Sequence, residues 1–111
     1  MDEIVDVSVT ADSADWLAEL THALVEDRLV ACGNIVPQIR SIYRWEDAID
    51  DDREAMVVLH TRASLMPELI ERIQREHPYD TPQVLAVPVI GANPAYRNWI
   101  VAETREPKTP A

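Results

Sequence analysis

The sequence predicts an α+β fold in which one antiparallel sheet carries helices on one face. Short segments with alternating apolar residues, such as "IVDVSVT", are typical of half-buried strands. Between them lie longer segments in which apolar residues recur every three or four positions, such as "DSADWLAELTHALVEDRL", as in amphipathic helices. The length of 111 residues is that of one domain. We expect a single domain over residues 1–111, with a core from about residue 4 to residue 103.

The first strand and the first helix follow one another directly. Val5, Val7 and Val9 share one face of an extended chain, as they do in a strand with one side buried. Asp12 or Ser13 can cap the helix that follows, because both side chains accept hydrogen bonds from the first free amides of a helix. Leucines at helical spacing then predict an apolar side along this helix.

A long bent hairpin is expected next. Apolar alternation runs from Val30 to Trp45, and Pro37 interrupts it as a bulge or an edge position would. The acidic segment "EDAIDDD" is predicted to make the turn. The segment "EAMVVLHTR" is predicted to return as a nearly continuous apolar strand.

The remaining elements are marked by caps and prolines. Ser64 is expected to cap a second helix, and Pro78 to end it, because the proline ring disfavours helical backbone at the preceding residue. The segment "QVLAVPVI" predicts a fourth strand, in which Pro88 favours an edge position. The Asn-Pro pair at 93–94 is a start signal for a third helix, and residues 104–111 are expected to form a flexible tail.

The element order is strand, helix, strand, strand, helix, strand, helix. This is the order of a ferredoxin-like split βαβ sandwich with an antiparallel sheet, a long hairpin between its second and third strands, and an added C-terminal helix.

The charge balance excludes several classes of partner. Twenty acidic residues face ten basic ones, a net charge of -10, and such a field repels nucleic-acid phosphates and anionic lipids. No apolar run approaches the roughly 20 residues of a membrane span, and the first residues lack the basic region of a signal peptide. A cytoplasmic protein without nucleic-acid or membrane partners is therefore expected.

Cys32 is the only cysteine, which excludes a disulfide within the chain.

The predicted hairpin is too long for its domain. Residues 30–45 would span about 50 Å at about 3.3 Å per residue. A compact domain of this length should measure only about 35 Å across. An overhanging ribbon with apolar faces favours association, and cyclic symmetry closes such contacts, so one interpretation is an oligomer. The other interpretation is a monomer in which Pro37 divides the strand into two ordinary pieces.

Three separated segments resemble those of one known family. The segments "LVEDRLVACGNIVPQIRSIYRWE", "HPYDTPQVLAVPV" and "YRNWI" are similar, in order and spacing, to segments of the CutA divalent-cation tolerance family. The resemblance implies a ferredoxin-like protomer similar in architecture to PII signalling proteins, and a homotrimer formed through long hairpins. It also implies a cytoplasmic location in bacteria and a role in tolerance of copper and other divalent metals.

The resemblance also implies a candidate metal ligand. In some members copper is ascribed to a cysteine before the first helix and to a His-His pair, but this chain has Val9 at the first position and Glu76-His77 at the pair. His77 is thus the candidate ligand for Cu(II) or another divalent cation, which neutral imidazole suits. The alternative role for His77 is to end the helix and hydrogen-bond a carbonyl. A further departure is His60, where members commonly have lysine, and we expect an interior or interface position there.

Aromatic residues and one acid predict a cleft for a small ligand. Tyr43, Trp45 and Tyr79 are expected either as core and interface anchors or as the lining of an intersubunit cleft. The family resemblance places Glu54 near Tyr43 and Trp45, where it would face the same cleft.

No catalytic residues are expected. Gly33 and Gly91 are too few for a glycine-rich phosphate loop, and a cysteine at position 32 of an apolar strand is expected to be buried and unreactive. Two functions remain. One is a homotrimeric metal-tolerance protein that binds a metal ion or a small ligand between subunits. The other is a PII-like signalling or scaffold module that binds a metabolite or a partner protein, with indirect metal effects.

Overall fold

The computed structural model describes residues 2–108, and its strands form one antiparallel sheet. The elements are β1 (Ile4–Ala11), α1 (Ala14–Glu26), β2 (Cys32–Trp45), β3 (Ala48–Arg62), a 3₁₀ turn (Ala63–Leu65), α2 (Met66–Glu76), β4 (Val84–Pro88) and α3 (Pro94–Glu103). The sheet order is β2-β3-β1-β4. This is the ferredoxin-like order with an added C-terminal helix, so the predicted fold class is confirmed. Within residues 2–108, no helix has both the length and the apolar character needed to cross a membrane.

The main core lies between one face of the sheet and the helices α1 and α2. Side chains alternate across a strand, and the inward-facing Val7, Val9, Val57 and Leu59 are fully buried. The following helical and turn residues complete this core: Leu17, Leu20, Leu24, Leu65, Leu69 and Ile73. A smaller cluster of Ile4, Ala31 and Ile100 docks α3. Each buried aliphatic side chain contributes about 1.5–3 kcal/mol to stability.

The ends of α1 and α2 are fixed by different devices. Ser13 caps α1, because the Trp16 amide donates to Ser13 Oγ at 3.1 Å, and Ser13 is one of the two predicted caps. The cap predicted at Ser64 is wrong. Ser64 lies in the 3₁₀ turn, its hydroxyl donates to Asp2, and α2 begins only at Met66. The end of α2 before Pro78 agrees with the prediction, since the preceding residue has extended backbone.

The hairpin turn is much shorter than the predicted acidic loop. Glu46 and Asp47 alone make it, with φ of 49° and 64°, and β3 already begins at Ala48. Two successive residues with positive φ give a turn whose twist matches that of the flanking strands. The acids at 50–52 therefore pair along β2 as part of β3 and do not form a loop.

Beyond a bulge, β2 and β3 continue as a two-stranded ribbon. The pairing shifts between Val36 and Ile39, as the proline between them predicts. Within the described chain, β1 pairs with β3 only as far as Ala55, so residues 39–54 extend past the sheet. We call residues 39–54 the distal hairpin. The molecule accordingly measures 45 × 29 × 24 Å, longer than a compact domain of this size.

The segment after α3 is bonded to the body of the domain. Thr104 is buried, and the Arg62 guanidinium donates to the carbonyl oxygens of Val101 and Thr104. The Arg105 amide donates to the carbonyl of Arg28 at 3.0 Å. The flexible tail expected over residues 104–111 therefore does not begin at its first residues, and residues 109–111 lie outside the described chain.

Candidate functional site

A cavity of about 600 Å³ opens where the distal hairpin leaves the sheet. The four residues predicted to form a ligand cleft all line it: Tyr43, Trp45, Glu54 and Tyr79. Thr10, from the end of β1, and Asp80, from the loop after α2, lie in the same wall. Three separate parts of the chain thus meet at one cavity. Sequence patterns alone did not indicate Thr10, because a polar residue near a strand end carries no signal of its own.

Tyr43 and Trp45 lie on one face of β2 because they are two positions apart. The Tyr43 hydroxyl donates to Asp52 Oδ2 at 2.6 Å. This hydrogen bond, together with the charges of neighbouring acids, raises the pKa of Tyr43 to about 12. The phenol is consequently neutral at physiological pH, and its hydroxyl is directed toward a carboxylate.

Tyr79 and Glu54 form a second phenol–carboxylate pair. The Tyr79 hydroxyl donates to Glu54 Oε2 at 3.0 Å. Burial raises the pKa of Tyr79 above its usual value, and the hydrogen bond to Glu54 raises it further. Glu54 stands immediately before the residue at which β3 meets β1, so the rigid end of the sheet positions it.

His77 lies behind the cavity wall and joins two parts of it. Only 7% of its surface is exposed. Nε2 donates to the Thr10 carbonyl at 2.8 Å, and Nδ1 accepts from the Tyr79 amide at 3.1 Å, which fixes the tautomer. The Trp16 ring packs edge-on against the imidazole, with the two ring centroids 4.9 Å apart. This geometry matches the alternative role considered from the sequence, in which His77 hydrogen-bonds a carbonyl.

Metal coordination by His77 stays a prediction. A metal ion at either ring nitrogen would have to replace one of these two hydrogen bonds. Among residues 2–108, no three His, Cys, Asp or Glu side chains come together in a group that could hold a metal ion. A site with three such side chains around His77 would therefore need some of them from outside this part of the chain.

A second polar cluster surrounds His60. Its Nδ1 lies 2.6 Å from Asp6 Oδ1, and its Nε2 lies 2.7 Å from Asn34 Oδ1. Cys32 neighbours His60 in the strand register, but its Sγ lies 3.3 Å from the Tyr96 hydroxyl instead. Both imidazole nitrogens therefore face oxygen atoms, and the Cys32 thiol contacts a phenol and not His60.

Cys32 is partly exposed, so the expectation of a buried cysteine is wrong. The reason is its place on β2, which is an edge strand of the sheet. The contact with Cys32 and partial burial raise the pKa of Tyr96 to about 12. Tyr96 therefore stays protonated beside the thiol at neutral pH.

The family of the chain follows from comparison with known proteins. The model of the CutA1 divalent ion tolerance protein family matches residues 5–103. The chain belongs to this family. Its CutA1 relatives include the divalent-cation tolerance protein CutA of Thermus thermophilus, 38% identical over 104 residues, which are 94% of this chain and 99% of that protein. Protein CutA of Mus musculus is 41% identical over 92 residues, which are 83% of this chain and 52% of that protein.

The CutA1 match extends to solved structures. The crystal structure of CutA1 from Oryza sativa superimposes with a TM-score of 0.91 at 36% identity, covering 96% of this chain and 97% of that one. This chain spans about half the length of the mouse and plant relatives. The rice protein is named as chloroplastic, and a structure from Archaeoglobus fulgidus is named as a periplasmic divalent cation tolerance protein. The names of the relatives therefore do not agree on one compartment.

Proposed function

We propose that this chain forms a cytoplasmic homotrimer that acts in the response to divalent metals without catalysing a reaction. It would bind a metal ion, with copper as the first candidate, or a small ligand at the cavity beside the distal hairpin. The observation that carries the proposal is this cavity, which brings together Tyr43, Trp45, Glu54 and Tyr79 from sequence-distant elements. The divalent ion tolerance family to which the chain belongs supports the metal response.

Exposed apolar surface supports the trimer. Ile42 and Ile49 of the distal hairpin are 65% and 67% exposed. On β4, Val84 and Ala86 pack against the core, so that Leu85 points to the opposite face, where it is 58% exposed. Such surfaces on a ribbon with open strand edges are typical of sites that another subunit covers.

The assembly is tested by light scattering on the purified protein. We expect three times the chain mass of 12.6 kDa. Leu85→Ser should raise the concentration at which the trimer dissociates, because it removes apolar area from the face turned away from the core. Val25→Ser is the matched control, since Val25 is exposed on the helical side of the domain. A 12.6 kDa particle at micromolar concentration would refute the trimer.

The metal is tested by calorimetric titration with Cu(II). If His77 coordinates copper, His77→Ala should abolish a saturable heat that the wild type shows. Identical weak, salt-sensitive heats in both proteins would rule out specific coordination at His77.

The second candidate function is a PII-like signalling or scaffold module with indirect metal effects. It is favoured by the size of the cavity and by the lack, among residues 2–108, of a three-ligand metal group. A trimer without specific Cu(II) binding would favour this second candidate.

A further inference from the structure

The charged residues that the described part of the chain places in the cavity wall are all acidic. Two carboxylates, Glu54 and Asp80, lie in its wall, and none of the described lining residues is Lys, Arg or His. Glu54 accepts the Tyr79 hydroxyl on Oε2, and within residues 2–108 its Oε1 accepts no hydrogen bond. The chain as a whole carries a net charge of -10. A partly buried carboxylate in a wall whose described residues include no basic side chain attracts a cation.

The rings in the same wall favour an organic cation. Tyr43, Trp45 and Tyr79 line the cavity, and the negative face of an aromatic ring attracts an ammonium or guanidinium group. Both tyrosine hydroxyls donate to carboxylates, so the phenols are neutral and their hydroxyls are already bonded. The two tyrosines therefore offer a ligand mainly their ring faces.

Two other ligand classes fit the cavity less well. A bare divalent ion is most often held by several His, Cys, Asp or Glu side chains, and among the described residues no three of these come together in a group that could hold a metal ion. An anion would meet Glu54 and Asp80 with no compensating positive charge in the described wall. The volume of about 600 Å³ lies in the range of small-molecule sites.

We infer that the cavity binds a small organic cation, with a monovalent ammonium group seated against the Tyr43 ring on the Glu54 side of the cavity. This inference rests on the proposed use of the cavity as a ligand site, and it specifies the ligand by class. The acid supplies the charge and the ring supplies a polarisable face.

The test compares choline with its neutral isostere 3,3-dimethyl-1-butanol by titration calorimetry on the full chain at physiological ionic strength. The two probes have nearly the same shape and differ in charge. We expect choline to bind about tenfold more tightly, as a cation over an aromatic face beside a carboxylate should. Equal affinities would show a merely apolar cavity and overturn the inference, as would a lack of choline binding.

Charge-removing variants locate the site. Glu54→Gln keeps a partner for Tyr79 but removes the charge, and should weaken choline binding about tenfold while leaving the neutral isostere unaffected. Tyr43→Leu is the second variant and should weaken choline binding about fivefold, because it removes the ring face. Asp47→Asn is the matched control, because Asp47 lies in the hairpin turn outside the described lining. Its affinity for choline should stay within about twofold of the wild type, because a remote exposed charge is screened.

The outcomes separate this inference from the proposed function. A trimer by light scattering that fails to bind choline overturns the organic cation and leaves the assembly intact. A monomer that binds choline with the expected variant pattern overturns the trimer and retains the cation site. Choline binding that is unchanged in both Glu54→Gln and Tyr43→Leu would place the ligand elsewhere and overturn the inference.

Discussion

His77 shows how one buried side chain can support a site without entering it. Its imidazole donates to Thr10 at the end of β1 and accepts from Tyr79 in the loop after α2. Both of these residues line the cavity. The histidine thus fixes the distance between two walls, and its replacement should affect stability even if it never meets a ligand.

We expect His77→Ala to lower the free energy of unfolding by about 1–3 kcal/mol, because it leaves a buried carbonyl without its donor. Urea unfolding at a fixed protein concentration measures this change. His22→Ala is the matched control, since His22 is exposed in the middle of α1, and its unfolding midpoint should stay close to that of the wild type. Equal midpoints for the two variants would contradict the linking role of His77.

The three tyrosines predict the response of the protein to alkaline pH. Tyr43, Tyr79 and Tyr96 all have pKa values above the ordinary one, and those of Tyr43 and Tyr96 are about 12. An unfolded tyrosine ionises near about pH 10. The folded protein therefore keeps protons that the unfolded chain releases, so this stabilisation is complete below pH 10 and is lost as the pH rises toward 12.

Near-ultraviolet absorbance of the phenolate tests the tyrosine prediction. In native protein the ionisation midpoint should lie well above that of the same protein in concentrated urea. Tyr43→Phe should remove one of the late-ionising groups and reduce the total absorbance change accordingly. A native midpoint equal to the unfolded one would show that the phenol–carboxylate bonds do not persist in solution.

At the scale of elements, the β2–β3 hairpin decides where the cavity lies. Its two-residue turn at Glu46 and Asp47 lets both strands run to the tip, so Tyr43 and Trp45 stand on regular strand. A longer loop would have left these rings on irregular backbone. The bulge after Val36 then sets which face of the distal hairpin turns toward the rest of the domain.

Because α1 packs closely on β2, we predict that a side chain at Gly33 destabilises the protein. A Cβ on Gly33 would lie 2.6 Å from Thr21 Cγ2 and 3.0 Å from Leu59 Cδ2, so Gly33→Ala should cost about 1–3 kcal/mol of stability. At Gly91 a Cβ meets no described atom within 4 Å, and its φ is not positive. Gly91→Ala should therefore raise stability by about 0.4–1 kcal/mol, by restricting the unfolded chain. Thermal unfolding of both variants gives the comparison, and a neutral Gly33→Ala would refute the close contact.

At the scale of the whole molecule, net charge opposes association while apolar surface favours it. Each chain carries a net charge of -10, so copies that assemble through the distal hairpin must overcome mutual repulsion. We expect added salt, starting from very low ionic strength, to strengthen the proposed trimer by screening this repulsion. Light scattering over a dilution series at several salt concentrations measures the effect. A trimer that dissociates as salt rises would show that ion pairs hold it together.

Rules that act between neighbouring residues predicted much of the fold. Ser13, the proline at 37 and the proline at 78 each act on their immediate neighbours, by capping, by interrupting a ladder or by restricting a backbone angle. Alternation placed Tyr43 and Trp45 on one face, and Tyr79 was grouped with them as an aromatic residue. Glu54 was linked to them only through the family resemblance. The failures at Ser64 and at the acidic turn arose because several residues offered competing local signals.

The sequence by itself determined the order of elements, the buried faces and the acidic character, because periodicity, capping and charge are properties of neighbouring residues. Only the tertiary structure decided that His77 bonds to Thr10, 67 positions away, and that Cys32 meets Tyr96 and not a histidine. It also decided that Glu54 accepts the Tyr79 hydroxyl at an aromatic cavity. These contacts join sequence-distant atoms, and hydrogen-bond geometry at a few ångströms is set by how the elements pack.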